Sequence, residues 1–225
     1  MSLFIDHVVM TVKDINKSIY FYSNILNMEL IEFVSTSDTT KRKSLKFGNQ
    51  KINLHEAEKP FKPHANKPMP GSLDICFISK KVLDEWILTF TKHNVHIEDG
   101  PVLKTGANGA IKSIYFYSNI LNMELIEFVS TSDTTERKSL KFGNQKINLH
   151  ESENPFKPHA NRPMPGSLDI CFISEKVLEE WILTFTKHSI DIEDGPILKT
   201  GANGAIKSIY IRDPDLNLIE ISNVI

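Results

Sequence analysis

The first residues form an apolar run rich in β-branched side chains and read as a strand. Over residues 4–12 this puts Val8, Met10 and Val12 on one face and His7, Val9 and Thr11 on the other, the period of a β-strand. Asp14 is placed to cap a helix, and Ile15, Ile19, Tyr22 and Leu26 follow at helical spacing. Asn27 ends that helix in the left-handed conformation. Residues 29–34, 43–47 and 51–56 read as three short strands, the last two joined by a hairpin at Gly48-Asn49-Gln50. The pattern is β-α-β-β-β.

A stretch with four prolines and a glycine, residues 60–71, then reads as a linker. Beyond it, residues 73–78 predict a strand, and Ser79 is placed to cap a helix with the stripe Val82, Leu83, Trp86, Ile87 and Phe90. A strand starts at 95–98, and Gly106 and Gly109 mark a turn. Near the carboxyl end, residues 205–212 and 218–222 read as strands around the turn Asp213-Pro214-Asp215-Leu216-Asn217. A second β-α-β-β-β is thus spelled out, and helices on one face of each unit leave the opposite faces free to curve into a cup.

The pattern then repeats. Lys-Ser-Ile-Tyr occurs at Lys17–Tyr20, Lys112–Tyr115 and Lys207–Tyr210, each 95 residues after the last, and residues 17–111 differ from 112–206 at only ten positions. The head, residues 1–16, and the tail, residues 211–225, occur once each. A crossover between two such tetrapeptides of one ancestral domain accounts for this. The first copy, 1–111, then lacks its last strand, and the second, 112–225, lacks its first. Across the junction, residues 111–121, one copy's ending predicts a strand and the other's beginning a helix; the spacing of Ile114, Tyr117 and Leu121 favours helix.

Composition narrows the picture only modestly. A formal net charge of −2, with both signs interspersed, excludes a basic nucleic-acid or membrane-surface stripe. The two cysteines, Cys76 and Cys171, are one position in two copies within apolar runs, and read as buried free thiols of a reducing compartment. No leader or membrane span is evident, so a soluble cytoplasmic protein is expected. No HExxH, CxxC or phosphate-binding loop occurs.

Strand parity assigns the cup face its chemistry: His7, Asn53 and His55, Asp74 and Cys76, Leu218 and Glu220. Polar side chains alternating into apolar strands need partners, because unpaired burial is costly. A divalent metal is one such partner; imidazole and carboxylate suit zinc, nickel, manganese or ferrous iron.

The opening strand with His7, the segments FYSNILNMELIEF, FGNQKINLHE and PGSLDICFI, and the closing DPDLNLIEIS with Glu220 resemble the vicinal-oxygen-chelate superfamily of glyoxalases, dioxygenases and bleomycin-resistance proteins. The resemblance implies an α+β fold: tandem βαβββ units forming curved mixed sheets with helices outside. It makes His7 the first metal ligand and Glu220 the last. Asp74 and its copy Asp169 stand where the family usually has histidine, and Asn53 and Asn148 where glyoxalase I has a fourth ligand; His55 or His150 is placed to substitute. Family members with four units pair their terminal units. By that analogy residues 1–56 and 167–225 form one composite cup, with metal ligands His7, Asp169 and Glu220 and with Glu220 or His55 moving a proton. The implied function is a metal-dependent enzyme acting on a small molecule with adjacent oxygens, of lyase, isomerase or dioxygenase type. The alternative is a metal-free ligand-binding module of the bleomycin-resistance kind. Sheet edges opened by the missing strands invite pairing with a second copy.

Overall fold

The computed structural model describes residues 3–35, 40–59, 69–116, 123–129, 135–150, 157, 159, 161, 167 and 169–225. The first unit runs β1 (Leu3–Val12), α1 (Ile15–Ile19, continued as a π-helical turn over Tyr20–Ile25), β2 (Glu29–Val34), β3 (Lys41–Phe47) and β4 (Gln50–Glu56). The second has β5 (Leu73–Ser79), α2 (Leu83–Lys92), β6 (Ile97–Gly106) and β7 (Gly109–Phe116). The third retains β8 (Glu124–Val129), β9 (Glu136–Phe142) and β10 (Gln145–Leu149); the fourth has β11 (Asp169–Ile173), α3 (Leu178–Lys187), β12 (Asp194–Thr200), β13 (Ala205–Arg212) and β14 (Leu218–Val224). The architecture is α+β, as the unit pattern predicts.

The amino-terminal elements follow the predicted chemistry. Asp14 accepts hydrogen bonds from Asn16 N and Lys17 N, which fixes the start of α1, and Asn27 closes the π-turn at φ +59°. Tyr22 and Leu26 are buried as the stripe requires. The second helix departs from its prediction. It begins at Leu83 after an extended Val82, because Ser79 spends its hydroxyl elsewhere, accepting from Lys81 N and from Trp86 Nε1. Val82 is accordingly exposed, while Trp86 and Phe90 carry the buried stripe.

The recurrent tetrapeptide takes two conformations. Lys17–Tyr20 is helical, but Lys112–Tyr115 and Lys207–Tyr210 lie in strands β7 and β13. Local sequence cannot decide between them, since the four residues are the same; context does. Asp14 caps the first occurrence, whereas the others follow tight glycine turns and zip onto β6 and β12. The helix expected over residues 111–121 is therefore a strand as far as Phe116; residues 117–122 lie outside the described ones. Ladder hydrogen bonds to β6 outweigh the helical spacing of Ile114 and its neighbours.

Among the described residues the strands form four sheets, in the orders β2-β3-β4-β1-β5, β6-β7, β8-β9-β10 and β11-β14-β13-β12. Two hydrophobic cores among the described residues hold them. In the larger, Met10, Val12, Tyr22, Leu45 and Ile52 of the first unit pack with Leu178, Phe185, Ile209, Ile219 and Ile221 of the fourth. In the smaller, Leu3 joins Trp86 and Phe90 of the second unit and Phe142 of the third. The copies meet about a pseudo-two-fold axis. Phe47 of the first packs edge-on against Phe172 of the second at 5.2 Å, and the reciprocal pair, Phe77 with Phe142, does so at 5.3 Å. Ser72 forms an isolated bridge with Ser167, its own equivalent.

Candidate functional site

The site grows from one irregularity in β1. Between Ile5 and His7 the register against β5 shifts, leaving Asp6 as an extra, bulged residue. Successive strand residues normally face opposite ways, and a bulge re-aims them. Here it lets neighbours in sequence touch: His7 Nδ1 lies 2.7 Å from Asp6 Oδ2. The same oxygen accepts from Ala107 N at 2.9 Å, in the turn between β6 and β7. Gly106 leaves room for that approach: a Cβ there would crowd Asp6 Oδ2 at 3.1 Å and Ile111 Cγ2 at 2.9 Å. Burial pushes the Asp6 carboxyl up, but the hydrogen bonds from His7 and Ala107 and the charges of His7 and Lys51 outweigh it and hold it low.

Across the sheet His7 stands between Lys51 on β4 and Cys76 on β5. Lys51 is buried and donates to Thr105 O at 2.9 Å; burial lowers its pKa against the opposing pull of Asp6. Burial, with the Asp6 charge, pushes the Cys76 thiol up to about 12. Asp6, His7 and Cys76 form the one group of three metal-capable side chains among the described residues whose ligand atoms all lie within 4.8 Å of one another. Two rows further along the same face, His55 is buried opposite Thr11. Between them lies Asn53, with Ser44 opposite it on β3. Ser44 Oγ and Asn53 Oδ1 are buried and find no hydrogen-bond partner among the described residues. In the second copy the equivalent Ser139 Oγ donates to Asn148 Oδ1 at 2.9 Å.

Glu220 belongs to a separate group. On β14 it stands between Cys171 of β11 and Tyr210 of β13, and accepts from Ser222 Oγ at 3.2 Å. Burial, then the Glu220 charge and hydrogen bond, pushes the Tyr210 hydroxyl far up, and burial with the same charge raises the Cys171 thiol. Cys171 is exposed on its edge strand, not buried as its apolar run predicts, while its thiol turns to Ser222 Oγ at 3.4 Å. Lys146 donates to Thr200 O at 2.7 Å, repeating the Lys51 contact of the first copy.

The residues picked out by sequence are thus dispersed. His7 and Glu220 lie in different sheets; Asp169, exposed, pairs with Leu218 beside Glu220; and Asp74 pairs with Val9. The first and fourth units do meet, but through their helix-covered faces. Tyr22 donates to Asp213 Oδ2 at 2.7 Å, and Lys13 N reaches Asp215. His150 follows the end of β10, where burial and Arg137 lower its pKa. Asp6 was outside the parity list, and the only signal that finds it is the bulge.

These features define a class. The sequence profile of the glyoxalase/bleomycin resistance protein/dioxygenase superfamily matches residues 4–112 and again 107–221. The chain belongs to that superfamily and carries its domain twice. Among individual relatives, it is 46% identical to virulence protein STM3117 of Salmonella typhimurium over 113 residues, half of this chain and 75% of that protein. It is 44% identical to the glyoxalase domain-containing protein RDO1 of Mycosarcoma maydis over 112 residues, 60% of that protein. The crystal structure of STM3117 superposes with a TM-score of 0.52 at 26% identity, covering 99% of this chain and 97% of the other. A 4-hydroxymandelate synthase variant from Streptomyces coelicolor shares the fold, with a TM-score of 0.60 at 9% identity, covering 97% and 91%. Among the described residues no helix is long and apolar enough to cross a membrane.

Proposed function

We propose that the first copy's polar face is a small-molecule site of the glyoxalase kind, using a divalent metal ion held by His7 and Cys76. The carrying observation is the Asp6–His7–Cys76 group on its bulge. The donor set fits zinc, nickel or ferrous iron better than manganese, since a thiol is a soft ligand. When bound, such an ion supplies a Lewis acid that polarises adjacent oxygens of a ligand. Asp6 orients His7: accepting the Nδ1 proton fixes the tautomer that leaves Nε2 a lone pair, the usual carboxylate–histidine support of a metal site. Cys76 is protonated at neutral pH, so ligation through it releases a proton. Ser44 Oγ and Asn53 Oδ1 offer a buried donor and acceptor to ligand oxygens. His55, on the same face, is the group we assign to moving a proton. Glu220, with Cys171 and Tyr210, makes a second half-site, and Asp169 adjoins it.

A metal-free binding site is the second reading, and Lys51 favours it. Its positive charge already favours the Asp6 carboxylate and opposes the rise of the Cys76 thiol, and a second cation has to compete with it. Metal content per chain, by elemental analysis, separates the two. The first reading expects about one ion per chain in wild type and in Glu220→Ala, lost in His7→Ala and Cys76→Ala. No ion in any of them retires it; ligand-induced thermal stabilisation untouched by EDTA would then support the second.

A further inference from the structure

Identical residues have unequal surroundings in the two copies. In the second, β14 runs between β11 and β13, parallel to one and antiparallel to the other. In the first, the equivalents β5 and β7 have no strand between them among the described residues: β5 pairs only with β1, and β7 only with β6. One helix supports both edges, since Trp86 and Phe90 of α2 pack with Phe77 of β5 and Ile114 of β7. Burial records the difference. Ser208 and Ile209 are 0% exposed and Tyr210 4%, whereas Ser113, Ile114 and Tyr115, the same residues in the same local sequence, are only half-buried.

The hydrogen bonds tell the same story. Asn223 of β14 clamps the start of α3: its Oδ1 accepts from Leu178 N, and its Nδ2 donates to Ser174 O and Lys176 O. Ser222 Oγ meets both Ser208 Oγ and Cys171 Sγ. Among the described residues nothing takes these roles at Leu83, Ser113 and Cys76, and Leu83 is half-buried where Leu178 is 1% exposed.

We propose that the space between β5 and β7 is a docking slot for an extended peptide strand supplied by another protein, with the chemistry of Leu218–Val224. Such a strand lies parallel to β5 and antiparallel to β7. Two isoleucines, as at positions 219 and 221, cover the exposed flank of α2. An asparagine, as at 223, caps that helix at Leu83. An acidic residue, as at 220, falls between Cys76 and Tyr115, where Lys51 and Lys104 provide complementary charge; Lys104 Nζ lies 5.8 Å from the Tyr115 ring centroid. A second copy of this chain is a poor donor. Its own β14 is enclosed on both edges and clamped by Asn223, so withdrawing it opens an identical slot and gains nothing. The inference rests on sheet pairing alone and does not depend on a metal at His7.

The test uses the full chain and a fluorescent peptide with the sequence of residues 213–225. Saturable binding at about one peptide per chain is expected, weakened at least about tenfold when the peptide's isoleucines at positions 219 and 221 are aspartate. A photo-crosslinking residue at the peptide's glutamate position is expected to label 73–79 or 113–116. Tryptic fragments distinguish these from the second copy, because Lys80 stands opposite Glu175 and Phe116 opposite Ile211. Labelling of 169–173 or 208–212 would mean exchange with the resident β14 and overturn the proposal. So would no saturable binding, and so would concentration-dependent dimerisation of the chain that the peptide reverses.

Discussion

At the scale of single residues, the most consequential side chain is one that alternation hides. Parity assigns Asp6 to the apolar face, and only the bulge at Asp6 lets it meet His7. No spacing in the sequence announces a bulge, so Asp6 was illegible while its neighbour was not. Buried contacts between distant residues were equally silent. Tyr22 and Asp213, 191 positions apart, share a 2.7 Å hydrogen bond in the buried seam between the first and fourth units. Tyr22→Phe leaves that carboxyl one donor short and is expected to cost about 1–3 kcal/mol in urea unfolding. The seam also has a pH signature. Burial raises the Asp213 pKa above its ordinary 3.8, against hydrogen bonds from Asn217 and Tyr22 that lower it. The folded chain therefore binds that proton more tightly than the unfolded chain, and the contribution of Asp213 to stability declines as pH rises from 3.8 through the folded pKa. Unfolding of wild type and Asp213→Asn across that window is expected to show the wild-type advantage shrinking with pH; a constant difference would refute it.

At the scale of elements, periodicity was a sound guide wherever local and non-local forces agree. Residues 4–12, 29–34 and 205–212 are apolar runs of strand length, and all form strands. It failed where they conflict. Ile114 sits in a segment whose spacing is helical, yet β6 provides a ladder that a helix would forfeit. The helix twins α2 and α3 carry the effect further. They differ only at Asp84 and Glu179, but α3 begins on the Asn223 clamp and packs against β14, while among the described residues α2 has neither. Amide hydrogen exchange is expected to be faster over residues 83–86 than over 178–181, although intrinsic helix propensity is nearly the same. Asn223→Ala is expected to remove most of that difference by speeding exchange in α3 alone.

At the scale of the whole molecule, the duplication was plain in the sequence and its packing was not. Both copies contribute to each core: Met10 and Tyr22 lie with Ile219 and Ile221, and Phe142 lies with Trp86. A fragment of residues 1–111 would expose its share of both cores, so it is expected to lack a cooperative thermal transition, and mixing with residues 112–225 to restore one. An independently stable 1–111 fragment would contradict the shared cores. Parity correctly grouped His7, Asn53, His55 and Cys76 on one face, as the strand registers confirm. It carried no information on which unit faces which across space, because that depends on contacts between sheets rather than along strands.

The bridge between Ser72 and Ser167 has a further consequence. Elsewhere, a substitution in one copy alters one member of two related contacts. On the axis, the two equivalent residues meet each other, so a change made in only one of them already creates a contact between unlike groups. Lysine at one and glutamate at the other would attract, whereas lysine at both would repel. Joining the two halves in one chain releases them from the constraint that binds an assembly of identical subunits, where every residue on the axis must tolerate itself. That position is where the two halves of this protein are freest to become different proteins.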